Sequence, residues 1–150
     1  MLEHVSVVGV RNLTRVHVDL SEGATALFGV NGSGKTSFLE AIHLLGMGRS
    51  FRTRYAKSII QHSHAKCRVV GRIRQGARAQ SVGVEKDRDA DMRARIGGEN
   101  VLSLSELAKA LPIVLLDTDS MSLVAGAPEA RRRLLDGTLF HVEPGFLTLW

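Results

Sequence analysis

The sequence has little of several residue types: one cysteine, three prolines and 5% aromatic residues among 150 positions. Because Cys67 has no second cysteine to pair with, a secreted disulfide scaffold is excluded and a reducing compartment is indicated. No apolar run approaches the roughly 18 residues of a membrane-spanning helix. The N-terminal segment contains Glu3 and no basic residue, unlike a secretory signal. Together these absences predict a cytoplasmic protein that does not contact a membrane.

Charge is present but unevenly distributed. The chain has 20 Lys and Arg residues against 15 Asp and Glu residues, a net charge of +5. Residues 49–84 carry nine of the basic residues and no acidic residue, so the excess lies in this one stretch. With 44% hydrophobic residues, the chain can also bury a core. The basic stretch therefore predicts a contact with a polyanion rather than a uniformly basic tail.

Alternation of apolar and polar residues predicts short strands along much of the chain. The predicted strands are residues 2–10, 15–20, 24–28, 67–75, 80–86, 93–96 and 112–116. We interpret 67–97 as an antiparallel β insertion. Helices are predicted after the glycine-rich segment, after a capping box that starts at Ser103, and from Pro128.

A glycine-rich segment between a predicted strand and a predicted helix fits G-x-x-x-x-G-K-[ST] at every fixed position. It consists of Gly29, Val30, Asn31, Gly32, Ser33, Gly34, Lys35 and Thr36. In such a loop, backbone amides and the helix N-terminus cradle phosphates. Lys35 would reach the β- and γ-phosphates, and the Thr36 hydroxyl would ligate Mg²⁺. The sequence therefore predicts a nucleotide site, and the absence of N-K-x-D and D-x-x-G motifs favours ATP over GTP.

An acid that assists Mg²⁺ and water is also expected in such enzymes. Ile113–Leu116 followed by Asp117 fits the usual pattern of an apolar strand that ends in Asp. An ordinary buried strand that ends at a turn fits the same residues. The residues therefore leave two interpretations open: Asp117 is this acid, or it follows an ordinary buried strand.

The basic stretch supplies candidates for nucleic-acid contacts, because arginine forks suit phosphate oxygens. The candidates are Arg49, Arg52, Arg54, Arg68, Arg72 and Arg74. The last three share one face of a predicted strand and could follow a DNA backbone. The alternative is a sheet face that charge keeps soluble.

Several segments together resemble the bacterial RecF family. They are residues 11–13, 29–36, 37–42, 46–52, 126–136 and 140–146, so the resemblance runs nearly from end to end. It implies an α/β fold, a P-loop NTPase of the ABC/SMC head type with an antiparallel β hairpin subdomain. It also implies that residues 1–150 are the N-terminal part of the head, with the signature serine, the catalytic-aspartate strand and the helical arm beyond Trp150.

The resemblance further implies a role in DNA repair and replication, with a place in the SOS response. RecF proteins bind single-stranded and duplex DNA near gaps and junctions, and help RecO and RecR to load a recombinase. They form an ATP-dependent homodimer and are weak, DNA-stimulated ATPases. We therefore expect little or no ATP hydrolysis from these 150 residues alone.

The resemblance also assigns weaker site candidates. It implies that Asp117 belongs to the segment that senses the γ-phosphate, and that Asp119 takes the position of the family's glutamate in this segment. It adds Arg11 and Asn12 after the first strand, and Arg131 and Arg132 as a matched arginine pair. Two alternatives remain open: a small P-loop kinase that uses Asp117 as its acid, and a DNA-binding module with a vestigial nucleotide loop.

Overall fold

A computed structural model describes residues 1–117, 120 and 128–142 of the chain. Within the last range, only the backbone is described at residues 130, 133, 141 and 142. The contacts divide the chain into two units, Met1–Ile113 and Val114–Trp150. Nearly all of the described secondary structure belongs to the first unit.

The first unit is built on one antiparallel sheet with the strand order β2-β1-β3-β4-β5-β6. The strands are β1 (Leu2–Val10), β2 (Leu13–Asp19), β3 (Lys66–Gln75), β4 (Arg78–Asp87), β5 (Met92–Ile96) and β6 (Glu99–Asn100). Alternate residues of β1 and β3 are buried, which is the pattern of strands with one face on a core. The predicted strands at 2–10, 15–20, 67–75, 80–86 and 93–96 are confirmed, with bounds shifted by a few residues.

Helix α1 (Lys35–Met47) covers the apolar face of the sheet. Leu44 and Leu45 of α1 are fully buried in the same cluster as Val5 and Val69. Gly71 of β3 permits this close approach, because a Cβ there would lie 2.6 Å from Leu45 Cδ2. The helix that follows the glycine-rich segment is therefore seated on the middle of the sheet.

The remaining helices are short or lie in the second unit. Helix α2 (Ala56–Ile59) lies within the basic stretch, and α3 (Leu104–Ala110) starts at the predicted capping box of Ser103 and Glu106. Helix α4 (Pro128–Val142) belongs to the second unit and begins at Pro128, as predicted. None of the described helices is long and apolar enough to cross a membrane.

Two predicted strands are wrong. Residues 24–28 and 112–116 are described, but neither stretch is a strand. A strand needs a neighbour to satisfy its backbone groups, and within the described residues the sheet runs only from β2 to β6 without these stretches. Phe28 and Leu116, the last residues of the two stretches, are 93% and 77% exposed.

Candidate phosphate-binding site and basic sheet face

The phosphate loop, residues 29–36, leads directly into α1. Gly34 is the N-cap residue, with a left-handed φ of 102°, and Lys35 is the first helical residue. The helix has no side-chain cap and no acidic residue in its first turn. Helical amides that lack such partners favour an anion, and the helix dipole adds to this preference.

Glycine is required in this loop for two different reasons. Gly32 has a φ of 81°, and nothing lies within 4 Å of the position a Cβ would take. Its backbone is thus open to a ligand in a conformation that L side chains rarely adopt. At Gly34, in contrast, a Cβ would lie 2.6 Å from Leu13 Cδ2, so this position cannot carry a side chain unless the Leu13 side chain shifts.

Two side chains hold the loop in shape. Lys35 Nζ donates hydrogen bonds to the carbonyl oxygens of Gly29 and Val30, each at 2.9 Å. Asn12 Nδ2 donates to the carbonyl oxygen of Gly32 at 2.8 Å, and its Oδ1 accepts from Ser37 Oγ at 2.8 Å. Asn12 therefore ties the turn between β1 and β2 to both the loop and the first turn of α1.

The donor set fits a polyphosphate accompanied by a divalent cation. The loop supplies amides and one ammonium group, which are ligands for phosphate oxygens. Thr36 is exposed at the start of α1, and its hydroxyl oxygen is a hard ligand of the kind Mg²⁺ prefers. Among the described residues, no group of three or more His, Cys, Asp or Glu side chains could hold a metal ion.

A buried carboxylate lies one to two turns further along α1. Glu40 is fully buried, and its Oε2 and Oε1 accept hydrogen bonds from Arg11 Nε at 2.9 Å and Nη2 at 2.8 Å. The Ser50 hydroxyl also donates to Oε1, and Arg52 Nη1 lies 3.5 Å from Oε2. Burial raises the pKa of Glu40, but the hydrogen bonds from Arg11 and Ser50 outweigh it and leave the pKa below its ordinary value. The carboxylate is therefore charged and fully partnered.

This cluster assigns contacts to two candidates from the sequence. Arg11 and Arg52 are both bound to Glu40, so each has a structural partner. Arg49 and Arg54 are exposed, and neither takes part in a salt bridge between described residues. We call residues 49–55 the basic loop. An open groove of about 480 Å³ is lined by residues 50–55 of this loop.

The face of the sheet opposite α1 carries rows of basic side chains. Arg68 of β3 lies beside Glu85 of β4, which lies beside Arg93 of β5. Arg95 lies in the next row, beside Gly83. We call this surface the basic sheet face. Its exposed cations are Lys66, Arg68, Arg72, Arg74, Arg93 and Arg95.

Glu85 neutralises part of this face. Its carboxylate accepts from Lys66 Nζ at 2.7 Å and from Arg68 Nη2 at 2.6 Å. The hydrogen bonds from Lys66 and Arg68 hold the pKa of Glu85 below its ordinary value. Arg93, on the other side of Glu85, is exposed and in none of the salt bridges between described residues.

Glu3 has the same role at the far end of β3. Its carboxylate binds Arg74 and lies 3.5 Å from Arg72 Nε. The hydrogen bond from Arg74 lowers the pKa of Glu3. The stretch that has no acidic residue of its own is thus paired with carboxylates from β1 and β4.

The sequence reasoning missed part of this surface. A groove of about 430 Å³ on the basic sheet face is lined by Lys66, Arg68, Val70, Gly83, Val84, Glu85, Arg93 and Arg95. Arg93 and Arg95 lie outside the stretch that was singled out for its charge. The signal was present, because they alternate with Ala94 and Ile96 along a predicted strand.

The candidates near the C-terminal end belong to the second unit. The Asp117 carboxylate is exposed and accepts hydrogen bonds from the backbone and hydroxyl of Ser120, at 3.0 and 2.9 Å. Asp119 lies outside the described residues. Arg131 and Arg132 are exposed on α4.

Comparisons with known proteins agree with this architecture. The model of the RecF/RecN/SMC N terminal domain family matches residues 1–123. The chain is 46% identical over 151 aligned positions to the DNA replication and repair protein RecF of Pseudomonas syringae pv. tomato, and 45% identical over 150 positions to that of Azotobacter vinelandii. Each alignment covers 99% of this chain but 41% of the relative, so the chain spans about two fifths of their length.

Solved structures show the same fold. A structure of the recombination mediator protein RecF-ATPrS in the RecFOR pathway superposes with a TM-score of 0.86 at 23% identity, over 99% of this chain and 40% of that one. A structure from work on ATP-driven dimerization and DNA-stimulated activation of SMC ATPases gives 0.74 at 20% identity, over 91% and 98%. The predicted ABC/SMC head fold is therefore confirmed. The chain belongs to the family of RecF/RecN/SMC N-terminal domains, and its curated relatives are RecF proteins.

Proposed function

We propose that this chain binds ATP with Mg²⁺ at the phosphate loop and DNA at the basic sheet face and the basic loop, as part of a recombinational repair ATPase. The observation that carries the proposal is the uncapped N-terminus of α1 behind a loop of three left-handed glycines, Gly29, Gly32 and Gly34. The names of the relatives, which describe DNA replication and repair, support the repair role.

Each part of the loop has its own task in nucleotide binding. Backbone amides of the loop and of the first turn of α1 receive the phosphates. Lys35 adds a positive charge, and Thr36 offers a hydroxyl oxygen to the metal. The bound Mg²⁺ would neutralise phosphate charge. Asn12 keeps the loop open by holding the Gly32 carbonyl at 2.8 Å.

The basic sheet face suits a nucleic-acid backbone better than a base-reading contact. Its groups are arginine forks and a lysine ammonium group on a sheet surface, which bind phosphates without regard to sequence. The finer assignments follow the RecF resemblance: a preference for gaps and single-strand/duplex junctions, recombinase loading with RecO and RecR, and an ATP-dependent homodimer. The solved relatives, which include RecF of the RecFOR pathway and an SMC ATPase from work on ATP-driven dimerization, support these assignments.

Equilibrium binding of a fluorescent ATP analogue tests the nucleotide site. Lys35→Ala is the test variant, and Lys57→Ala, on the exposed surface of α2, is the matched control. We expect the first to weaken binding by more than about tenfold, since it removes a charged phosphate ligand, and the second to leave it unchanged. Equal affinities in both variants would contradict the nucleotide site.

Turnover separates the alternatives. We expect negligible ATP hydrolysis by the 150-residue chain. Strong hydrolysis that disappears in Lys35→Ala would contradict this expectation, and phosphate transfer to a small acceptor would favour the kinase. Salt-dependent DNA binding without any nucleotide binding would favour the vestigial loop.

A further inference from the structure

Glu40 lies where the phosphate loop and the basic loop are joined. Its carboxylate is fully buried, yet every partner belongs to another segment: Arg11 to the turn after β1, Ser50 and Arg52 to the basic loop. A buried ion pair contributes little net stability compared with apolar packing, so stability alone does not account for such a charge. Its value lies in the geometry that it fixes.

One side of the cluster leads to the phosphate loop. Arg11 has a φ of 54°, an uncommon conformation for a residue with a side chain. Its guanidinium binds Glu40 at two points, and its backbone N–H donates to the carbonyl oxygen of Ile59 at 2.7 Å. The next residue is Asn12, which holds the Gly32 carbonyl. Fixing Arg11 therefore fixes the residue that shapes the phosphate loop.

The other side leads to the basic loop. While the Ser50 hydroxyl donates to Glu40, its oxygen accepts from the backbone N–H groups of Arg52 at 2.9 Å and Thr53 at 3.1 Å. Ser50 thus closes a turn and fastens that turn to α1. The exposed side chains of Arg49 and Arg54 lie on either side of this anchored turn.

We propose that Glu40 is a positioning residue that holds the phosphate loop and the basic loop in one fixed arrangement, so that a polyphosphate at the first and a phosphate backbone at the second meet one preorganised surface. The purpose of this arrangement rests on the proposed function, whereas the arrangement itself does not. Glu40 acts only through Arg11, Ser50 and Arg52.

Limited trypsin digestion tests the arrangement without a ligand, because trypsin cleaves after Arg49, Arg52 and Arg54. We compare the parent chain with Glu40→Gln and Ser50→Ala, using Glu99→Gln as the exposed control for the charge change. We expect both test variants to raise cleavage in the basic loop by about tenfold, because the turn loses its anchor, and the control to match the parent. Parent-like cleavage in Ser50→Ala overturns the proposal. If Glu40→Gln fails to fold, Ser50→Ala alone serves as the test variant in the digestion, since it keeps the pair between Glu40 and Arg11.

Affinity for the ATP analogue supplies a readout that a general loss of stability would not reproduce. Only Glu40 is linked to the phosphate loop through Arg11 and Asn12. Glu40→Gln should therefore weaken binding by about fivefold, whereas Ser50→Ala should leave it unchanged and Asn12→Ala should weaken it without increasing cleavage of the basic loop. Equal losses in Ser50→Ala and Glu40→Gln overturn the two-sided role. A parent chain that binds neither ATP nor DNA overturns the proposed function. In that case the trypsin digestion still decides whether Glu40 holds the basic loop in place.

Discussion

The phosphate loop and the basic sheet face are both suited to polyanions, but they are built in opposite ways. The loop offers backbone amides held by glycines and by Asn12, with one flexible cation, Lys35. The sheet face offers side chains that already have carboxylate partners in Glu3 and Glu85. A backbone site depends on conformation and is lost when that conformation is lost. A side-chain site depends on charge balance, so its affinity can be lowered by removing cations or raised by removing carboxylates.

The largest effect should come from breaking the conformation of the loop. Gly34→Ala adds a Cβ 2.6 Å from Leu13 Cδ2 at a φ of 102°. Gly98→Ala is the matched control, with a φ of 95° and nothing within 4 Å. We expect Gly34→Ala to lower the free energy of unfolding by about 2–4 kcal/mol and to abolish binding of the ATP analogue, against about 1 kcal/mol for the control. Chemical denaturation measures both, and equal losses would show that the contact with Leu13 is harmless.

Removing charge from the sheet face should have a graded effect on DNA binding. The double variant Arg93→Ala/Arg95→Ala should lower the slope of log Kd against log salt by about two, one for each lost phosphate contact. Lys57→Ala/Arg78→Ala removes the same charge from exposed positions outside the face. Titration of labelled single-stranded and duplex DNA at several salt concentrations compares them. Identical slopes in the two double variants would place the DNA elsewhere.

Removing a carboxylate from the sheet face should change the affinity for DNA in the opposite direction. Glu85→Gln releases Lys66 and Arg68 and should tighten DNA binding by about threefold, a modest effect because the pair is solvent-exposed. Glu99→Gln controls for net charge. Weaker binding in Glu85→Gln would mean that the carboxylate orients the cations instead of competing with the DNA.

Acid should have the same effect without a mutation. Because the pKa of Glu85 is lowered in the folded chain, its pairs with Lys66 and Arg68 are present above the ordinary carboxyl range and are lost only as the pH falls through the lowered value. The stability that these pairs contribute is lost in the same window. DNA affinity should therefore rise in the parent as the pH falls through that window, and stay level in Glu85→Gln. A parallel rise in both would assign the effect to another carboxylate.

The smallest change is expected at Cys67, which lies on the inner side of β3 between Lys66 and Arg68. Burial raises the pKa of this thiol to about 11, so the reactive thiolate is scarce at neutral pH. We expect almost no labelling by a thiol reagent in the folded chain, with or without DNA, and complete labelling in denaturant. Rapid labelling of the folded chain would show that β3 opens, and the rigid sheet face would have to be reconsidered.

Local pattern predicted much of the fold. The phosphate loop, the five strands with period-two alternation and the capping box at Ser103 are all encoded within a few neighbouring residues. The stretches 24–28 and 112–116 could not be assigned correctly in this way, because an apolar run becomes a strand only beside a partner. Whether a partner is present is a property of the whole fold.

The candidate sites also divide into features that local sequence pattern predicts and features that depend on the whole fold. The phosphate loop could be predicted from the sequence because the spacing of its residues is what phosphate binding requires. Its role as an ATP site is still a prediction. The charge of residues 49–84 was counted correctly, but the count did not show how much of it is neutralised, because the fold pairs that stretch with Glu3, Glu40 and Glu85, which lie outside it. Arg93 and Arg95 joined the face only through strand pairing. Long-range register therefore decides which cations remain available.

Gly71 sets how closely α1 packs on the sheet. With no side chain there, α1 lies directly on β3, whose other surface carries Arg68 and Arg72. A single packed layer, about 10 Å thick, therefore separates the helix of the phosphate loop from the basic sheet face. That thickness is close to the Debye length of about 8 Å at physiological ionic strength. Two polyanions bound on either side would repel each other in dilute buffer, and this antagonism would fade in physiological salt.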